Sequence, residues 1–466
     1  MGNTNLLYSA QVNGQSTVRA KVNGYQLSLL SRERTPVPFH LKKRPVGFSA
    51  WNVLRSIAQE DLSFKGAKTN HASHNIHAFA AKFPPQLPRV FIEALTSPKE
   101  IVLDPMAGSG TTLVEAAIHD RHGIGFDLDP LAVKIARMKT QSLNASAVWE
   151  ASKRIIKHAE KISGSIRTAK QLLESSYPPE ALEFFRYWFK PETMYELVGL
   201  ALGVRGIKDH RIRNFFEVVF SSVIITKSGG VSLARDLAHS RPHRVSDKDP
   251  KGAIESFSGK VVKALRALEE IQSFPGSVSV VRSDSRWIPL ADESVHLIVT
   301  SPPYANAIDY VRAHKFSLIW LGHLPSALTS LRREYIGAEI NAEVPDLPSL
   351  TAREAIKAIT AKDPLKGRVL GKYFTDMSFT ISEMYRVLKP GRACVIVVGS
   401  STIRGIEAKT ALALSELGTH AGFMLASLKA RSIDRDKRLM PISRTSTYLG
   451  IEARMHQEYV IALYKP

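Results

Sequence analysis

The sequence predicts an α/β protein in which a doubly wound, Rossmann-like sheet is interrupted by a helical insertion. Short apolar stretches alternate with stretches of helical spacing on both sides of the middle of the chain, and Gly or Pro marks the changes. The middle, about residues 145–272, has helical spacing throughout. Hydrophobic residues form 44% of the 466 positions, enough for a sizeable core.

The first half of the sheet is predicted directly before the insertion. It begins with a helix, continues with a short apolar strand that ends in a Gly-rich turn, and repeats this helix and strand alternation once. The predicted elements, in order, are a helix at 88–96, a strand at 100–105, a helix at 111–120, a strand at 122–130 and a helix at 130–143.

After the insertion the same alternation returns and completes the sheet. The last two predicted strands alternate in hydrophobicity and suit an antiparallel pair. The predicted elements are strands at 277–281 and 296–304, a helix at 374–391 that stops at a Gly, and strands at 393–400, 422–430 and 458–465.

Four regions are therefore expected along the chain. The first is a basic arm or small subdomain with a hairpin around Asn23-Gly24, since Asn-Gly favours a two-residue hairpin turn. The regions are 1–60, the first catalytic part at 61–144, the helical insertion at 145–272 and the second catalytic part at 273–466.

The charge balance limits the partners of the chain. Lys and Arg total 63 and Asp and Glu total 43, a net charge of +20 that favours a polyanion such as nucleic acid or an acidic membrane surface. No run of about 18 apolar residues is present, which disfavours a membrane span. The first residues lack a basic segment followed by an apolar one, so a cytoplasmic protein is expected.

A Gly-rich turn, DPMAGSGTT, follows the first predicted strand. Gly108 and Gly110 lack a Cβ and let the backbone approach a ligand, and the next helix offers free N–H groups and the positive end of its dipole. Asp104 ends the strand, where its carboxylate suits an ammonium group. Asp127 ends the next strand, the usual place of an acid that binds ribose hydroxyls. This pattern predicts a nucleotide-like cofactor.

Several ligands use such a turn. A phosphate-binding loop needs Lys where Thr111 stands, and the dinucleotide pattern needs a third Gly where Leu113 stands. Acids on both sides of the glycines favour S-adenosylmethionine, and a turn that binds nothing is the alternative. The predicted contacts in this part are Asp104, Pro105, Ala107, Gly108, Gly110, Thr111, Thr112 and Asp127.

A second motif, Ser301-Pro302-Pro303-Tyr304, follows a predicted buried strand. Open α/β sheets bind ligands at the carboxyl ends of their strands. The two prolines fix the backbone and remove two donors. Ser301 Oγ and the Pro302 carbonyl can then accept hydrogen bonds from an amino group, while Tyr304 offers a face for stacking a flipped base. These four residues are the predicted catalytic site; a plain strand-ending turn is the alternative.

Together the two motifs resemble those of the DNA amino-methyltransferases, specifically the group with Ser-Pro-Pro-Tyr that methylates cytosine N4. The resemblance covers about residues 70–135 and 280–466. It implies a class I methyltransferase sheet, S-adenosylmethionine as cofactor and duplex DNA with a flipped base as substrate. Phe83 and Pro84 resemble the family segment that lies against the cofactor, and Asp284 matches the acid near the cofactor adenine.

The single cysteine argues against a different cytosine chemistry. Methylation at C5 normally uses a cysteine nucleophile on a loop, whereas Cys394 lies in the apolar run ACVIVV and is expected to pack in the core. One cysteine also excludes a disulfide within the chain and a multi-cysteine zinc site. No metal is predicted, and His74 and His77 are expected to be structural.

Three alternatives remain open. The first is N6-adenine methylation of DNA. Adenine-N6 enzymes usually carry Asp or Asn where Ser301 stands, but exceptions in both directions keep this alternative open. Methylation of an exocyclic amine in RNA is the second, and an inactive nucleic-acid-binding protein with this fold is the third. Many cytosine-N4 enzymes also have the two motifs in the opposite order.

The insertion is a candidate target-recognition region, since related enzymes with this motif order often read their target there. Arg235, Arg241 and Arg244 lie in a Gly- and Pro-punctuated part of it and are candidate phosphate contacts. A basic group from Arg431 to Arg454 is another candidate. The resemblance leaves open a cognate restriction endonuclease as a partner, and no oligomeric state is predicted.

Overall fold

The computed structural model forms two compact units, residues 1–43 and 44–466. In the first unit only the backbone of three strands is described. The described residues are 9–12, 15–22, 25–29, 49–80, 82–226, 230–235, 237, 242–305, 310–338, 346–399, 401–433 and 457–466.

The first unit contains an antiparallel sheet of three strands, β1 (Ser9–Val12), β2 (Gln15–Val22) and β3 (Tyr25–Leu29). Val22 lies opposite Tyr25, while Asn23 and Gly24, the predicted hairpin turn, lie outside the described residues. The unit ends near residue 43 rather than 60, because helix α1 (Ala50–Ile57) belongs to the core of the second unit.

The second unit is an α/β fold around one large sheet, with two small two-stranded sheets besides. The strands of this unit are β4 (Ile101–Asp104), β5 (His122–Asp127), β6 (Ala234–Arg235), β7 (His243–Arg244), β8 (Ser277–Arg282), β9 (Val295–Thr300), β10 (Leu388–Gly399), β11 (Thr402–Ile403), β12 (Ile406–Glu407), β13 (Met424–Ser432) and β14 (Gln457–Lys465). Its further helices are α2 (Gln86–Leu95), α3 (Thr111–Ile118), α4 (Pro130–Thr140), α5 (Ala145–Ser163), α6 (Ile166–Ser176), α7 (Pro179–Trp188), α8 (Pro191–Arg205), α9 (His210–Ile224), α10 (Ala253–Ile271), α11 (Tyr310–Leu318), α12 (Pro325–Glu334), α13 (Leu350–Lys362), α14 (Pro364–Val387) and α15 (Thr410–His420).

The large sheet has seven strands in the order β8-β5-β4-β9-β10-β14-β13. Neighbouring strands from β8 to β10 are parallel, and β14 pairs antiparallel with both β10 and β13. The chain runs outward from β4 to one edge and then crosses to β9, so the order reverses between β4 and β9. Ligands of doubly wound sheets bind at the carboxyl ends of the strands beside such a reversal.

Two apolar layers cover the faces of the sheet, because alternate strand residues point to opposite faces. Leu103 and Ile298 pack with helices α13 to α15 on one face, and Val102 and Val299 pack with α1 and α2 on the other. The mostly parallel sheet and its final antiparallel pair confirm the predicted doubly wound, Rossmann-like α/β fold.

The insertion forms a helical subdomain with its own core. Helices α5 to α10 span residues 145–271, close to the predicted bounds, with the small β6–β7 ribbon between α9 and α10. This core is shared with two neighbours outside the insertion. Leu131 and Ile135 of α4, Phe316 of α11 and Trp320 just after α11 belong to the same apolar cluster.

Cys394 lies on β10 and is fully buried, as predicted for a packing residue. Burial raises the pKa of its thiol far above the usual range, so the reactive thiolate is disfavoured. Among the helices that the structure describes, none is both long and apolar enough to cross a bilayer.

Candidate active site

The Gly-rich turn connects β4 to α3 and is fixed by backbone bonds. The Ala107 amide donates to the Phe126 carbonyl at 2.8 Å, which ties the turn to β5. Gly110 caps α3 with a φ of +78°, and a Cβ there would lie 2.9 Å from Ala136 Cβ. Only Gly fits this left-handed and crowded position. Gly108 has a φ of +50°, and its missing Cβ leaves room for the Phe79 ring.

Asp127 joins the turn to the end of β5. Its Oδ2 accepts from the Gly108 amide and its Oδ1 from the Asp129 amide, both at 2.8 Å. Burial, reinforced by the neighbouring charge of Asp129, raises the pKa of Asp127 to about 7. A carboxylate held this way costs free energy to keep charged, and hydroxyl or cationic donors from a ligand would lower that cost.

Asp104 bridges the two strands at the reversal point. Its Oδ1 accepts from Thr300 Oγ1 at 2.7 Å and from the Met106 amide at 3.2 Å. Burial raises the pKa of Asp104 to about 6. Since Thr300 directly precedes Ser301, this bond places the second motif beside the first.

A cleft opens at this edge of the sheet. Both predicted motifs contribute to its walls, so the structure brings them together. The predicted residues that line the cleft are Phe83, Asp104, Pro105, Ala107, Gly108, Thr111, Asp127, Ser301 and Pro303.

Other predicted residues lie behind this lining and support it. Thr112 Oγ1 donates to the Val299 carbonyl at 3.2 Å, Gly110 packs against α4, and the Pro84 carbonyl accepts from the Leu87 amide at the start of α2. Pro302 is buried directly after β9. Whether these residues contact a ligand stays a prediction.

Asp284 forms an ion pair that anchors two walls of the cleft. Its carboxylate accepts from Arg286, with 2.6 Å between Oδ2 and Nη2, and Arg286 Nη1 also binds Asp376 of α14 at 2.8 Å. Arg286 further donates to the Glu334 carbonyl at 2.9 Å. The joined segments supply four lining residues, Ser283, Ser285, Tyr335 and Ile336.

Tyr304 is 6% exposed in this structure. Its hydroxyl donates to Glu458 Oε1 at 2.7 Å, and Glu458 Oε2 accepts from Arg431 Nε at 2.9 Å. Arg431 and Glu458 are cross-strand partners at the end of the β13–β14 pair. Tyr304 is thus tied to the last two strands, and its role in stacking a base stays a prediction. Residues 306–309, which follow it, lie outside the described residues.

Several cleft residues were not predicted from the sequence. Phe79 stacks on Tyr310 with ring centres 5.2 Å apart. Asp129 caps α4 through its Oδ1, and its Oδ2 lies 2.6 Å from His314 Nδ1. The Asp129-Pro130 pair is a helix-start signal and was readable from the sequence. The Phe79–Tyr310 contact joins distant parts of the chain and left no local signal.

The predicted basic contacts have different environments. Arg235 and Arg244 are exposed on the β6–β7 ribbon, and the Arg244 guanidinium lies 5.2 Å from the Tyr187 ring centre. Arg241 lies outside the described residues, as does the basic group from 434 to 454. The prediction that Arg431 belongs to a basic binding surface is wrong. The Arg431 side chain is buried and paired with Glu458, so its charge is not available to a ligand.

A buried polar cluster supports the back of the cofactor helix α3. Glu115 Oε1 lies 2.8 Å from both His71 Nε2 and His74 Nε2, and Glu115 Oε2 accepts from Arg89 Nε at 2.9 Å. Burial lowers the pKa of His74 to about 4. The Arg89 guanidinium also lies 3.0 Å from His71 Nε2, so a protein cation already occupies the centre of this group.

Replacing Glu115 by Ala is therefore expected to lower the free energy of unfolding by about 3 kcal/mol or more, because Arg89 and the buried His74 lose their common partner. Urea denaturation of both proteins measures the difference. Glu93→Ala is the matched control, since the Glu93 carboxylate is partly exposed and lies 3.2 Å from the partly exposed His119 rather than from a buried partner. A loss below about 1 kcal/mol in the Glu115 variant would contradict the structural role.

Comparison with known proteins identifies relatives of this chain. Residues 41–138 match the model of a family described as DNA methylase. The Type II methyltransferase M.MvaI of Kocuria varians is 25% identical over 384 residues, which cover 76% of this chain and 83% of that protein. M.AvaI of Nostoc sp. is 22% identical over 367 residues, with coverages of 70% and 73%. M.BsoBI of Geobacillus stearothermophilus is 23% identical over 385 residues, with coverages of 71% and 74%.

These matches confirm the resemblance to DNA amino-methyltransferases that the two motifs predicted. The family match includes the Gly-rich turn and the segment with Phe83 and Pro84. The site also fits S-adenosylmethionine, the predicted cofactor. Two buried carboxylates with raised pKa values, Asp104 and Asp127, line the cleft together with Gly108, where a Cβ would lie 3.2 Å from the Phe79 ring.

Proposed function

We propose that this relative of the DNA methylases transfers a methyl group from S-adenosylmethionine to the exocyclic N4 amino group of cytosine in duplex DNA. The observation that carries the proposal is the meeting of Ser301 with Asp104 and Asp127 in one cleft. The Ser-Pro-Pro-Tyr motif supports cytosine N4, since Ser rather than Asp or Asn stands first. The Type II methyltransferases among the relatives support DNA as the substrate.

The residues divide into a cofactor side and a base side. Asp127 would accept hydrogen bonds from the ribose hydroxyls, and Asp104 would face the ammonium of the methionine part. Phe83, Ala107 and Gly108 would pack along the bound cofactor. When bound, S-adenosylmethionine supplies a methyl group already activated by the sulfonium charge, so the protein needs mainly to position the reactants.

On the base side, Ser301 Oγ and the Pro302 carbonyl would accept hydrogen bonds from the amino group of the base. Two acceptors on the amino protons orient its nitrogen lone pair toward the cofactor side of the cleft. A base inside a duplex cannot reach this edge of the sheet, so the target must be flipped out of the helix. Stacking on Tyr304 would hold it there, which requires a ring face that is buried in this structure to become accessible.

We also propose that the insertion at 145–272 contributes to target recognition and that the enzyme is the modification partner of a restriction endonuclease. The insertion interrupts the fold between β5 and β8 and packs on α11, the helix that follows the Ser-Pro-Pro-Tyr motif. The pairing with a restriction endonuclease is supported by the relatives' names as Type II methyltransferases.

The product of the reaction tests this proposal directly. The protein is incubated with labelled S-adenosylmethionine and duplex DNA, and the digested nucleosides are separated and identified by mass spectrometry. N4-methylcytosine is the expected product, and the same reaction without the protein provides the blank. N6-methyladenine would contradict the interpretation of Ser301. Label in RNA alone would contradict DNA as the substrate, and label in neither would favour a binding protein.

A further inference from the structure

Tyr335 carries a buried hydroxyl in a wall of the cleft. The residue follows α12 directly and lines the cleft together with its neighbour Ile336. Its ring packs against the apolar core of the insertion, and its hydroxyl oxygen is shielded from solvent. Among the described residues, none forms a hydrogen bond with this hydroxyl. An unsatisfied buried hydroxyl costs free energy, so its presence in the cleft needs an explanation.

The backbone on both sides of Tyr335 is held in place. On one side, the Glu334 carbonyl accepts from Arg286 Nη2 at 2.9 Å. On the other side, the Gly337 amide donates to Asp376 Oδ2 at 3.3 Å. Gly337 has a φ of +69°, a left-handed conformation that favours glycine at this turn. The position of the Tyr335 side chain in the wall is therefore set by its neighbours and not by a bond of its own hydroxyl.

The two carboxylates whose charges act on this hydroxyl already have donors of their own. Asp129 Oδ1 accepts from the Leu131 amide at 2.8 Å, and its Oδ2 lies 2.6 Å from His314 Nδ1. Both oxygens of Asp127 accept from backbone amides at 2.8 Å. Burial, and then the charges of Asp129 and Asp127, raise the pKa of Tyr335 well above its usual range, so the hydroxyl keeps its proton. It is therefore a donor that a ligand in the cleft can use.

The order of the strands assigns Tyr335 to one end of the cofactor. Arg286, which holds the Tyr335 segment, is also paired with Asp284, two residues after the end of β8. Strand β8 lies beyond β5 at the edge of the sheet, on the side away from β4 and β9. In the proposed site the methionine part lies at Asp104, after β4, and the ribose at Asp127, after β5. The adenine end of the cofactor then extends toward β8 and the wall that contains Tyr335.

We propose that the Tyr335 hydroxyl donates a hydrogen bond to the adenosine half of S-adenosylmethionine. The inference rests on the cofactor part of the proposed function and not on which base is methylated. An acceptor supplied by the ligand explains why a hydroxyl without a protein partner is held in this wall. Ser109 of the Gly-rich turn also lines the cleft with a buried, unpartnered hydroxyl, so the cleft offers a polar ligand more than one such group.

Tyr373 provides a matched comparison within the same part of the fold. It lies on α14, is fully buried in the apolar core, and its hydroxyl also has no hydrogen-bond partner among the described residues. Tyr373 is not one of the residues that line the cleft. The two tyrosines therefore differ in what a ligand can reach, and the same Tyr to Phe substitution at each position separates a cofactor contact from a loss of packing.

Binding of S-adenosylmethionine to the full-length protein, measured by isothermal titration, tests the proposal. Tyr335→Phe should weaken binding by about 3- to 10-fold, as the loss of one hydrogen bond does. The thermal midpoint of the free variant should stay the same or rise, because an unsatisfied buried hydroxyl is removed. Tyr373→Phe should leave the affinity unchanged. An unchanged affinity in Tyr335→Phe, or an equal loss in both variants, would overturn the proposal.

Competition by 5′-methylthioadenosine, which contains the adenosine half without the amino acid, locates the contact. Tyr335→Phe should weaken its binding by the same factor as that of S-adenosylmethionine. A loss for S-adenosylmethionine alone would place the contact on the methionine half and overturn the proposal. A wild type that binds no S-adenosylmethionine would overturn the proposed function and this inference together, whereas an unchanged affinity in Tyr335→Phe would overturn this inference alone.

Discussion

Tyr304→Ala is expected to lower the rate of methyl transfer by at least about 100-fold, while its affinity for S-adenosylmethionine stays near that of the wild type. Without the aromatic ring, a flipped base has no face to stack on and the amino group is no longer held in line. The cofactor side of the cleft, with Asp104 and Asp127, does not depend on this side chain. Steady-state methylation and a separate cofactor titration measure the two quantities.

Tyr304→Phe separates the ring from its hydroxyl. The Phe variant keeps the stacking face and loses only the 2.7 Å bond to Glu458, so we expect it to retain most of the activity. If both variants lose activity equally, anchoring by Glu458 and not stacking is the function of Tyr304. Full activity in the Ala variant would contradict both roles. Cofactor binding by each variant shows that the fold is retained.

Asp127→Asn is expected to weaken S-adenosylmethionine binding by about 10- to 100-fold, because in the proposed site the carboxylate accepts charge-assisted hydrogen bonds from the ribose hydroxyls. The amide keeps the size of the side chain but only one acceptor, so one of the Gly108 and Asp129 amides loses its partner, and thermal unfolding of the variant measures what this costs the fold. Isothermal titration measures the affinity. An Asn variant that binds like the wild type would show that Asp127 orders the turn and does not contact the cofactor.

Asp127→Asn should also weaken the pH dependence of cofactor binding. Burial raises the pKa of Asp127 to about 7, above its usual 3.8. The contribution of this group to stability is therefore fully present below about pH 3.8 and is lost as the pH rises through 7. Cofactor binding has the opposite sign, because the ionised form attracts a cationic ligand. Affinity should rise with pH through about 7 in the wild type and rise less in the Asn variant.

Local patterns were enough to predict much of the fold. The Gly-rich turn was recognisable because Gly110 occupies a position where a Cβ would meet Ala136, and no other residue type serves there. The strands around Asp104 and Ser301 were predictable because fully buried parallel strands are short continuous apolar runs. The end of α14 was predicted less accurately. The helix stops at Val387, four residues before Gly391, which was expected to end it.

The parts that escaped prediction depend on contacts between distant segments. Arg431 looked like one of a basic group, and only the pairing of β13 with β14 places it opposite Glu458. Arg286 and Asp284 are close in sequence, but their importance for the cleft comes from Asp376, ninety residues away. A one-dimensional pattern cannot show such partners.

Under the proposal that the insertion reads the target, the core that it shares with α4 and α11 determines how new target specificities can be obtained. An exchange of residues 145–272 alone between two such enzymes would leave Leu131, Phe316 and Trp320 facing foreign side chains. The unit that can be grafted must then include α4 and α11, and α11 begins six residues after Tyr304. Recombination that changes specificity is thus constrained to carry part of the catalytic region with it, so the two should diverge together in evolution.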